Sequence, residues 1–364
     1  MKTLLISGIY RPEIGGPATY IPALATELQS QNSLVEVVTL KNSIDRGVIE
    51  PWPVNYINRD QFLIFRFIKT CLSIRRQINS SDFVIANGLF QEAAIGLFGR
   101  NKRSVAKVVG DPVWERAYNR NETSLSIEEF NKSKLNIRHK AQRYFLKWSL
   151  NQFSQITCPS KELENLIQGW GVNKKVICIP NGISKIESRR NSYEYDLICV
   201  CRLVKWKNLD VLITANSVSK TRLVIVGGGP EEERLRSLAK ELNSNVEFTG
   251  QLEEQKVIDY LFRSKIFVLI SDYEGLSFSL LQAMACGLPS IVSKIKGNLD
   301  VISDNVEGIF VDANNLSEVI DGINLLVGQP GHLARLGENA REKVSNKYSQ
   351  KSQLNQMIKL LRDS

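Results

Sequence analysis

The stretch from Ser271 to Pro289 holds the densest chemistry in the chain. A buried-looking apolar run precedes it, Gly275 interrupts it, and the residues that follow have helical spacing that stops at Gly287 and Pro289. A strand, a turn and a helix in that order leave the first N–H groups of the helix without intrahelical acceptors. At Gly275, Leu276 and Ser277 those groups, together with the helix dipole, suit a phosphate or diphosphate. Glu274 stands at the lip of the turn, where a carboxylate accepts hydrogen bonds from sugar hydroxyls. Taken alone, the segment reads equally well as an ordinary helix start capped by Ser277 or Ser279.

A second segment, Cys201 to Asn208, follows another apolar run and so also lies at the carboxyl end of a strand. Arg202 offers a planar fork of donors and Lys207 a point charge, a combination that matches a pyrophosphate gaining negative charge as a leaving group. Near the start, Glu13-Ile14-Gly15-Gly16-Pro17 joins a first strand to a first helix. Paired glycines there let backbone approach a bound group, although Gly-Gly-Pro also punctuates plain turns. Asp111, before Pro112, suits the cap or turn role that Asp-Pro commonly supplies. Gly227-Gly228-Gly229-Pro230 invites a dinucleotide-loop reading that fails, because no third glycine falls at GxGxxG spacing and Glu231, Glu232 and Glu233 would repel phosphate at the helix start.

The elements that must position these residues are an alternation of β-rich apolar runs and amphipathic helical stretches, the signature of βαβ units and parallel sheets. Six strands are expected in the first half (3–7, 35–40, 83–86, 105–109, 155–158, 176–179) and five in the second (196–201, 222–226, 246–249, 266–270, 290–293). The 364 residues suit two domains. The expected division is an N-terminal domain over 1–185, a C-terminal domain over 186–348, and a final helix over 349–364, with the polar segment Ser184 to Tyr193 as linker. The N-terminal run is too short for a secretion signal, and no stretch is long enough to span a bilayer. Six cysteines without CxxC spacing read as buried free thiols, implying a reducing, cytoplasmic setting and no structural zinc.

Charge is uneven. Residues 1–190 hold 27 Lys and Arg against 16 Asp and Glu, whereas residues 191–364 hold 20 against 22. The basic half points to a polyanionic partner: a membrane surface, nucleic acid, or an acidic or phosphate-linked acceptor. Arg138 to Trp148 sharpens this, since helical spacing sets Lys140, Arg143 and Lys147 on one side and Ala141, Phe145 and Trp148 on another. Such a helix either lies on anionic lipid or packs its apolar side on its own domain.

The combination of Gly15-Gly16, Cys201-Arg202-Leu203 with Lys207-Asn208, Val226 to Pro230, and Glu274-Gly-Leu through Ala283 to Pro289 resembles glycosyltransferase family 4, of the GT-B fold. The resemblance spans nearly the whole chain, more loosely in the first half. It implies two Rossmann-like domains whose parallel sheets face across a cleft, a final helix over 349–364 that returns to the first domain, and metal-independent transfer from a nucleoside-diphosphate sugar with retention at the anomeric carbon. In that pattern Arg202 and Lys207 hold the diphosphate, Glu274 binds sugar hydroxyls, the backbone at Gly275, Leu276 and Ser277 adds to the phosphate site, Gly15 and Gly16 border the donor, and Gly250-Gln251 border the base. Two departures stand out. The second carboxylate of the family's paired glutamates is Gln282, and no histidine falls near the end of the strand before Asp111, which is the candidate for that place, where it would contact a sugar hydroxyl or stabilise a developing oxocarbenium ion rather than serve as a cap.

These readings lead to an expectation of a cytoplasmic, membrane-peripheral enzyme that adds a hexosyl unit to a glycan or lipid-linked glycan in surface polysaccharide or lipopolysaccharide synthesis. Neither cofactor nor metal nor nucleic acid is expected. Two alternatives stay open: a GT-B epimerase acting on the nucleotide sugar alone, and a non-catalytic nucleotide-sugar-binding subunit.

Overall fold

The computed structural model describes residues 1–13, 15–42, 48–187 and 192–363. Ile14 of the first glycine loop and the centre of the expected linker, residues 188–191, lie outside the described residues. The chain divides into two compact units. The first comprises Met1–Glu115, Ile127–Pro180 and the segment from Gln353 onward; the second comprises Arg116–Ser126 and Asn181–Ser352.

The first unit contains a seven-stranded sheet in the order β3-β2-β1-β4-β5-β6-β7. Its strands are β1 (Lys2–Ser7), β2 (Leu34–Lys41), β3 (Val54–Asn58), β4 (Phe83–Asn87), β5 (Arg103–Lys107), β6 (Gln155–Cys158) and β7 (Val176–Cys178). Its helices are α1 (Gly16–Ser30), α2 (Leu63–Asn79), α3 (Phe90–Leu97), the first turn of α4 (Pro112–Asn119), whose residues from Arg116 on count with the second unit, α5 (Ile127–Lys132), α6 (Ile137–Asn151) and α7 (Lys161–Gly169). Every pairing is parallel. Central strands such as β4, Phe-Val-Ile-Ala-Asn, are buried along their whole length, as strands covered on both faces must be. α1 opens with Pro17 in its first turn and continues through Pro22.

The second unit holds a six-stranded sheet in the order β10-β9-β8-β11-β12-β13, again wholly parallel. The strands are β8 (Tyr195–Val200), β9 (Leu223–Val226), β10 (Val246–Gly250), β11 (Ser264–Leu269), β12 (Ser290–Ser293) and β13 (Gly308–Val311). They alternate with α8 (Leu209–Ser219), α9 (Glu232–Glu241), α10 (Glu254–Phe262), α11 (Phe278–Ala285), α12 (Lys296–Leu299), α13 (Leu316–Val327) and α14 (Pro330–Lys347). Two apolar clusters cover the two faces of this sheet, one around Leu280, Met284 and Val344 and the other around Leu212, Ile213 and Leu326. The chain ends in α15 (Gln350–Asp363), which buries Leu354, Met357, Ile358 and Leu361. From Gln353 on it belongs to the first unit, where Arg103 donates to the Arg362 carbonyl at 3.1 Å.

In both sheets the strand order reverses once, between β1 and β4 and between β8 and β11. At such a switch the connections leave in opposite directions and open a crevice beyond the strand carboxyl ends, where open α/β sheets bind ligands.

Two sequence expectations change here. Arg143 does not line an outward basic side of α6: its Nη2 bonds to Asp111 Oδ2 at 2.5 Å and its guanidinium stacks on Trp170 at 4.4 Å. A buried carboxylate such as Asp111 needs a cation, and Arg143 pairs with it. The apolar side of α6 is only partly covered, with Phe145 stacked on Trp148 and 39% exposed.

Lys107, at the carboxyl end of β5, is fully buried with its ammonium 4.6 Å from the Tyr20 ring centre. Burial lowers its pKa from 10.5 to about 8. A lysine whose folded pKa lies below its unfolded value releases its proton first in the folded state, so folding gains stability as pH rises between those two values. Wild-type stability, measured by urea unfolding relative to Lys107→Met, should therefore improve from pH 8 toward pH 10.5. A flat difference across that window would refute the shift.

Candidate functional site

The carboxyl edge of the second sheet gathers the sequence-predicted residues around one ion pair. After β8 the chain passes Arg202, makes tight turns in which Val204 N bonds to Arg202 O and Lys207 N to Val204 O at 3.0 and 3.1 Å, and reaches Asn208. Asn208 takes a left-handed conformation with φ of 50°. Its side-chain amide donates to Ile270 O at 3.0 Å and to Asp272 Oδ1 at 2.6 Å. Asp272 in turn donates its N–H to Trp206 O at 2.8 Å and accepts the Tyr118 hydroxyl at 3.0 Å. Burial and the Asp272 carboxylate push the Tyr118 phenol up to about 12, so that bond keeps its proton. These bonds clamp the β8 loop to the β11 loop across the switch.

The clamp sets the Lys207 ammonium on Glu274 Oε1. Both side chains are largely buried, and Ser271 donates its hydroxyl to the same carboxylate oxygen at 2.6 Å. Burial by itself would lower the Lys207 pKa; the Glu274 charge and hydrogen bond more than offset it and hold the ammonium above its ordinary value. Behind the pair lie buried polar groups. Ser293 donates to Ser271 O, and Asn298 donates to Ser293 O at 2.9 Å. Gly297 packs against the Glu274 carbonyl so closely that a Cβ would lie 1.9 Å from its oxygen, so the Glu274 main chain is fixed as firmly as its side chain.

The head of α11 completes this edge. Ser277 caps the helix by accepting Leu280 N–H at 3.3 Å. Asn181 donates to Leu276 O at 2.9 Å and pins the turn from below. Among the described residues, nothing accepts a hydrogen bond from the N–H of Gly275, Leu276 or Ser277, although Gly275 and Leu276 are buried. Buried N–H groups without acceptors are costly and mark a place where an anion fits.

Arg202 is exposed and its guanidinium has no hydrogen-bond or ion-pair partner among the described residues. The glycine loop after β9 serves to hold the loop that carries it. A Cβ on Gly227 would meet Cys201 O at 1.9 Å, and one on Gly229 would meet Leu203 O at 2.3 Å. Gly227 N also bonds to Gly250 O at 2.9 Å, which draws Gly250 and Gln251 to the same edge. Gln282 is buried, and its amide donates to Glu254 Oε1 at 3.1 Å at the start of α10. A carboxylate thus stands beside the amide, contributed from another helix.

The first unit has its own crevice at the switch between β1 and β4. A cleft of about 180 Å³ is lined by Gly8, Ile9, Asn87, Gly88, Val109 and Gly110 among others. Asn87, at the end of β4, is 3% exposed, and neither its amide nitrogen nor its oxygen has a partner among the described residues. Gly15 and Gly16 form the N-terminus of α1, and Gly15 O accepts from Ala18 and Thr19. Asp111 fits the cap reading: Oδ1 accepts Val113 N at 3.0 Å and Trp114 N at 3.3 Å, and Oδ2 holds Asn131 and Arg143. Fully buried and bonded through both oxygens, it positions the Gly110–Pro112 wall of the cleft and presents no open oxygen to a sugar.

Asn208 and Ser271 stood in the sequence motifs without an assigned role, and Asn181 and Asn87 were not singled out. Asn181 had a signal, since Pro180-Asn181-Gly182 is turn chemistry; Asn87 had a weaker one, an amide closing an otherwise apolar strand just before a glycine.

Two family patterns account for most of the chain. "Glycosyltransferase Family 4" matches residues 14–185 and "Glycosyl transferases group 1" matches residues 183–343. The chain belongs to glycosyltransferase family 4. An uncharacterized glycosyltransferase of Methanocaldococcus jannaschii is 33% identical over 221 residues, a match that spans 55% of this chain and 56% of that relative. A GDP-mannose-dependent monoacylated alpha-(1-6)-phosphatidylinositol monomannoside mannosyltransferase of Corynebacterium glutamicum is 24% identical over 96% of this chain and 94% of its own length. Among solved structures, Anabaena Alr3699/HepE in complex with UDP and glucose superposes with a TM-score of 0.79 at 16% identity, covering 100% of both chains. The fold is GT-B, and this family-4 chain is a glycosyltransferase by membership.

The geometry separates the two cations of the site. Exposed, unpaired Arg202 should tolerate replacement by Ala with a stability change within about 0.5 kcal/mol. Lys207→Ala strands a buried carboxylate and should cost about 3 kcal/mol or more in urea unfolding. Equal costs for the two would contradict the pairing.

Proposed function

We propose that the chain is a retaining glycosyltransferase that moves a hexosyl group from a nucleoside-diphosphate sugar to a glycan or lipid-linked glycan acceptor of surface polysaccharide or lipopolysaccharide synthesis. The observation that carries this reading is the convergence of unpartnered N–H groups at Gly275, Leu276 and Ser277 with the Lys207–Glu274 pair at one switch point. A diphosphate there meets the head of α11, the ammonium of Lys207 and the guanidinium of Arg202. Negative charge that builds on the departing phosphate is stabilised by donors already in place.

In the transfer the bond between the anomeric carbon and the β-phosphate oxygen breaks, and its electron pair leaves with the phosphate. The acceptor hydroxyl oxygen bonds to the anomeric carbon on the same face, and its proton passes to the departing phosphate. Glu274, relieved of part of its contact with Lys207 by the incoming diphosphate, turns a carboxylate oxygen to the sugar hydroxyls. The chain's own groups supply positive charge and orientation in this scheme, with no metal or cofactor assigned a step. Asn87 offers a donor and an acceptor to a hydroxylated ligand in the first unit's cleft. Glu254, held by Gln282, supplies the carboxylate for the ribose hydroxyls in place of the family's second glutamate. Relatives support the acceptor class, since one of them is a mannosyltransferase acting on a phosphatidylinositol mannoside.

Thermal unfolding with UDP, GDP and ADP and their sugars tests the donor site. The cognate nucleotide at a hundred times its Kd should add about 2.7 kcal/mol. Arg202→Ala should remove most of that gain without lowering the stability of the free protein. The 2′-deoxy nucleotide should bind more weakly than its ribose counterpart in wild type, and Glu254→Gln should erase the difference. No stabilisation by any nucleotide would overturn the donor-site reading. Turnover of the nucleotide sugar to an epimer without acceptor would replace the transferase with an epimerase.

A further inference from the structure

The sequence reads its six cysteines as buried free thiols. All six are free, but Cys178 and Cys201 are only half-buried. Cys201 also has a partner two residues away. Residues i and i+2 of a strand present their side chains to one face, and the sulfurs of Cys199 and Cys201 lie 3.7 Å apart, in contact. Cys199 pairs with Ile225 of β9 inside the sheet and is 2% exposed. Cys201 lies one residue beyond the end of β8, where the chain bends, and immediately precedes Arg202. The charges of Lys207 and Glu274 act on the Cys199 thiol, and Lys207 in turn responds to both thiols, so the pair sits beside the central ion contact.

A disulfide holds its sulfurs about 2.05 Å apart, so closing this pair draws them together by roughly 1.7 Å. Cys199 is fixed in the buried sheet, and the displacement falls on Cys201. Its N–H bonds to Val226 O at 3.1 Å and its carbonyl abuts Gly227, so closure disturbs the contact that holds the loop. Arg202, the next residue, moves with it. The two thiols also have an order of reaction. Cys199 is held well above its ordinary pKa, first by its hydrogen bond with Cys201 and then by burial. Half-buried Cys201 therefore meets an oxidant first, and Cys199 resolves the product.

With a hydroperoxide as oxidant each step balances. The Cys201 sulfur takes the terminal peroxide oxygen, the O–O bond breaks, and water or an alcohol leaves; Cys201, oxidised by two electrons, is then a sulfenic acid. The Cys199 sulfur attacks the Cys201 sulfur, the S–O bond breaks, and the hydroxyl leaves as water with the Cys199 proton. Two equivalents of a small thiol reverse the bond and end as a disulfide themselves.

We propose that Cys199 and Cys201 form a reversible oxidation site, closed by hydroperoxides and reopened by thiols, whose closure pulls the Arg202 loop out of its nucleotide-binding position. The oxidation site stands on the geometry of β8 alone; its effect on nucleotide rests on the donor reading proposed above. Cys158 and Cys178, register partners on β6 and β7 in the first unit, are the competing pair.

Peptide mapping of the full chain tests the pair. After brief exposure to hydrogen peroxide and blocking of free thiols with N-ethylmaleimide, the tryptic peptide 191–202, which contains both cysteines, should escape alkylation and weigh two hydrogens less than its reduced form. Dithiothreitol before blocking should restore alkylation. Cys201→Ser changes a half-buried position and should keep the wild-type unfolding temperature; Cys199→Ala removes the same disulfide from the other side. Brief trypsin treatment of the folded protein reports on the loop: cleavage after exposed Arg202 should change roughly fivefold or more on oxidation of wild type, and in neither variant. Oxidation should also weaken binding of whichever of UDP, GDP and ADP stabilises the reduced protein by roughly tenfold, an effect that dithiothreitol reverses and Cys201→Ser lacks. A peptide 191–202 that stays fully alkylated, or a disulfide confined to Cys158 and Cys178, would overturn the oxidation site. A Cys199–Cys201 disulfide that changes neither cleavage nor nucleotide affinity would overturn its effect on the loop. Failure of all three nucleotides to bind the reduced protein would count against the donor reading instead, while peptide mass and cleavage still decide the proposal.

Discussion

The second unit is organised around a buried ammonium–carboxylate contact between Lys207 and Glu274. Removing two charges from water costs several kcal/mol per ion unless geometry and further hydrogen bonds offset it. The surroundings meet that requirement from several directions. Asn208 and Asp272 lock the lysine loop, Ser271 and the polar groups behind it support the carboxylate, and Gly297 fixes the main chain beneath it. The pair stands beside N–H groups that have no acceptor among the described residues, and in the proposed reading it is a reserve of charge held for a ligand. Under the proposed donor reading, a diphosphate that takes the ammonium frees the carboxylate for sugar hydroxyls, so that binding one part of the donor would prepare the site for the other.

Each unit repeats one rule of doubly wound sheets at a different point. Reversal of strand order opens a crevice, and the residues that follow the two reversing strands line it. In the second unit those are the loops of Arg202 to Asn208 and Ser271 to Glu274. In the first they are Gly8-Ile9 and Asn87-Gly88, with an unpartnered amide among mostly apolar walls. Charge follows the same division: the carboxyl edge of the second sheet concentrates a few paired ions, and the basic surplus lies in the first half of the chain.

Much of this was legible in the sequence because long apolar runs in parallel sheets announce themselves. All eleven expected strands lie where the runs stood, within about two residues at their ends. β3 and β13 escaped notice because they are edge strands, short and mixed in pattern, whose pairing is decided by a neighbour. Arg202, Lys207 and Glu274 could be read from their place after strands. Their mutual arrangement could not, because the Lys207–Glu274 contact joins positions far apart in sequence and depends on how Asn208 bends. Asp111 shows the converse. Asp-Pro spacing fitted a sugar contact and a cap equally, and only Arg143, two helices later, distinguishes them. Gln282 read as a lost charge, whereas the fold sets the Glu254 carboxylate beside it.

The account turns on where the diphosphate sits. A crystal structure of the chain with its cognate nucleoside diphosphate should place the β-phosphate within hydrogen-bonding distance of the Gly275 to Ser277 N–H groups, Lys207 Nζ and the Arg202 guanidinium, with at least one Glu274 oxygen turned away from the lysine. A nucleotide bound elsewhere, with Lys207 and Glu274 still joined and the head of α11 empty, would contradict it.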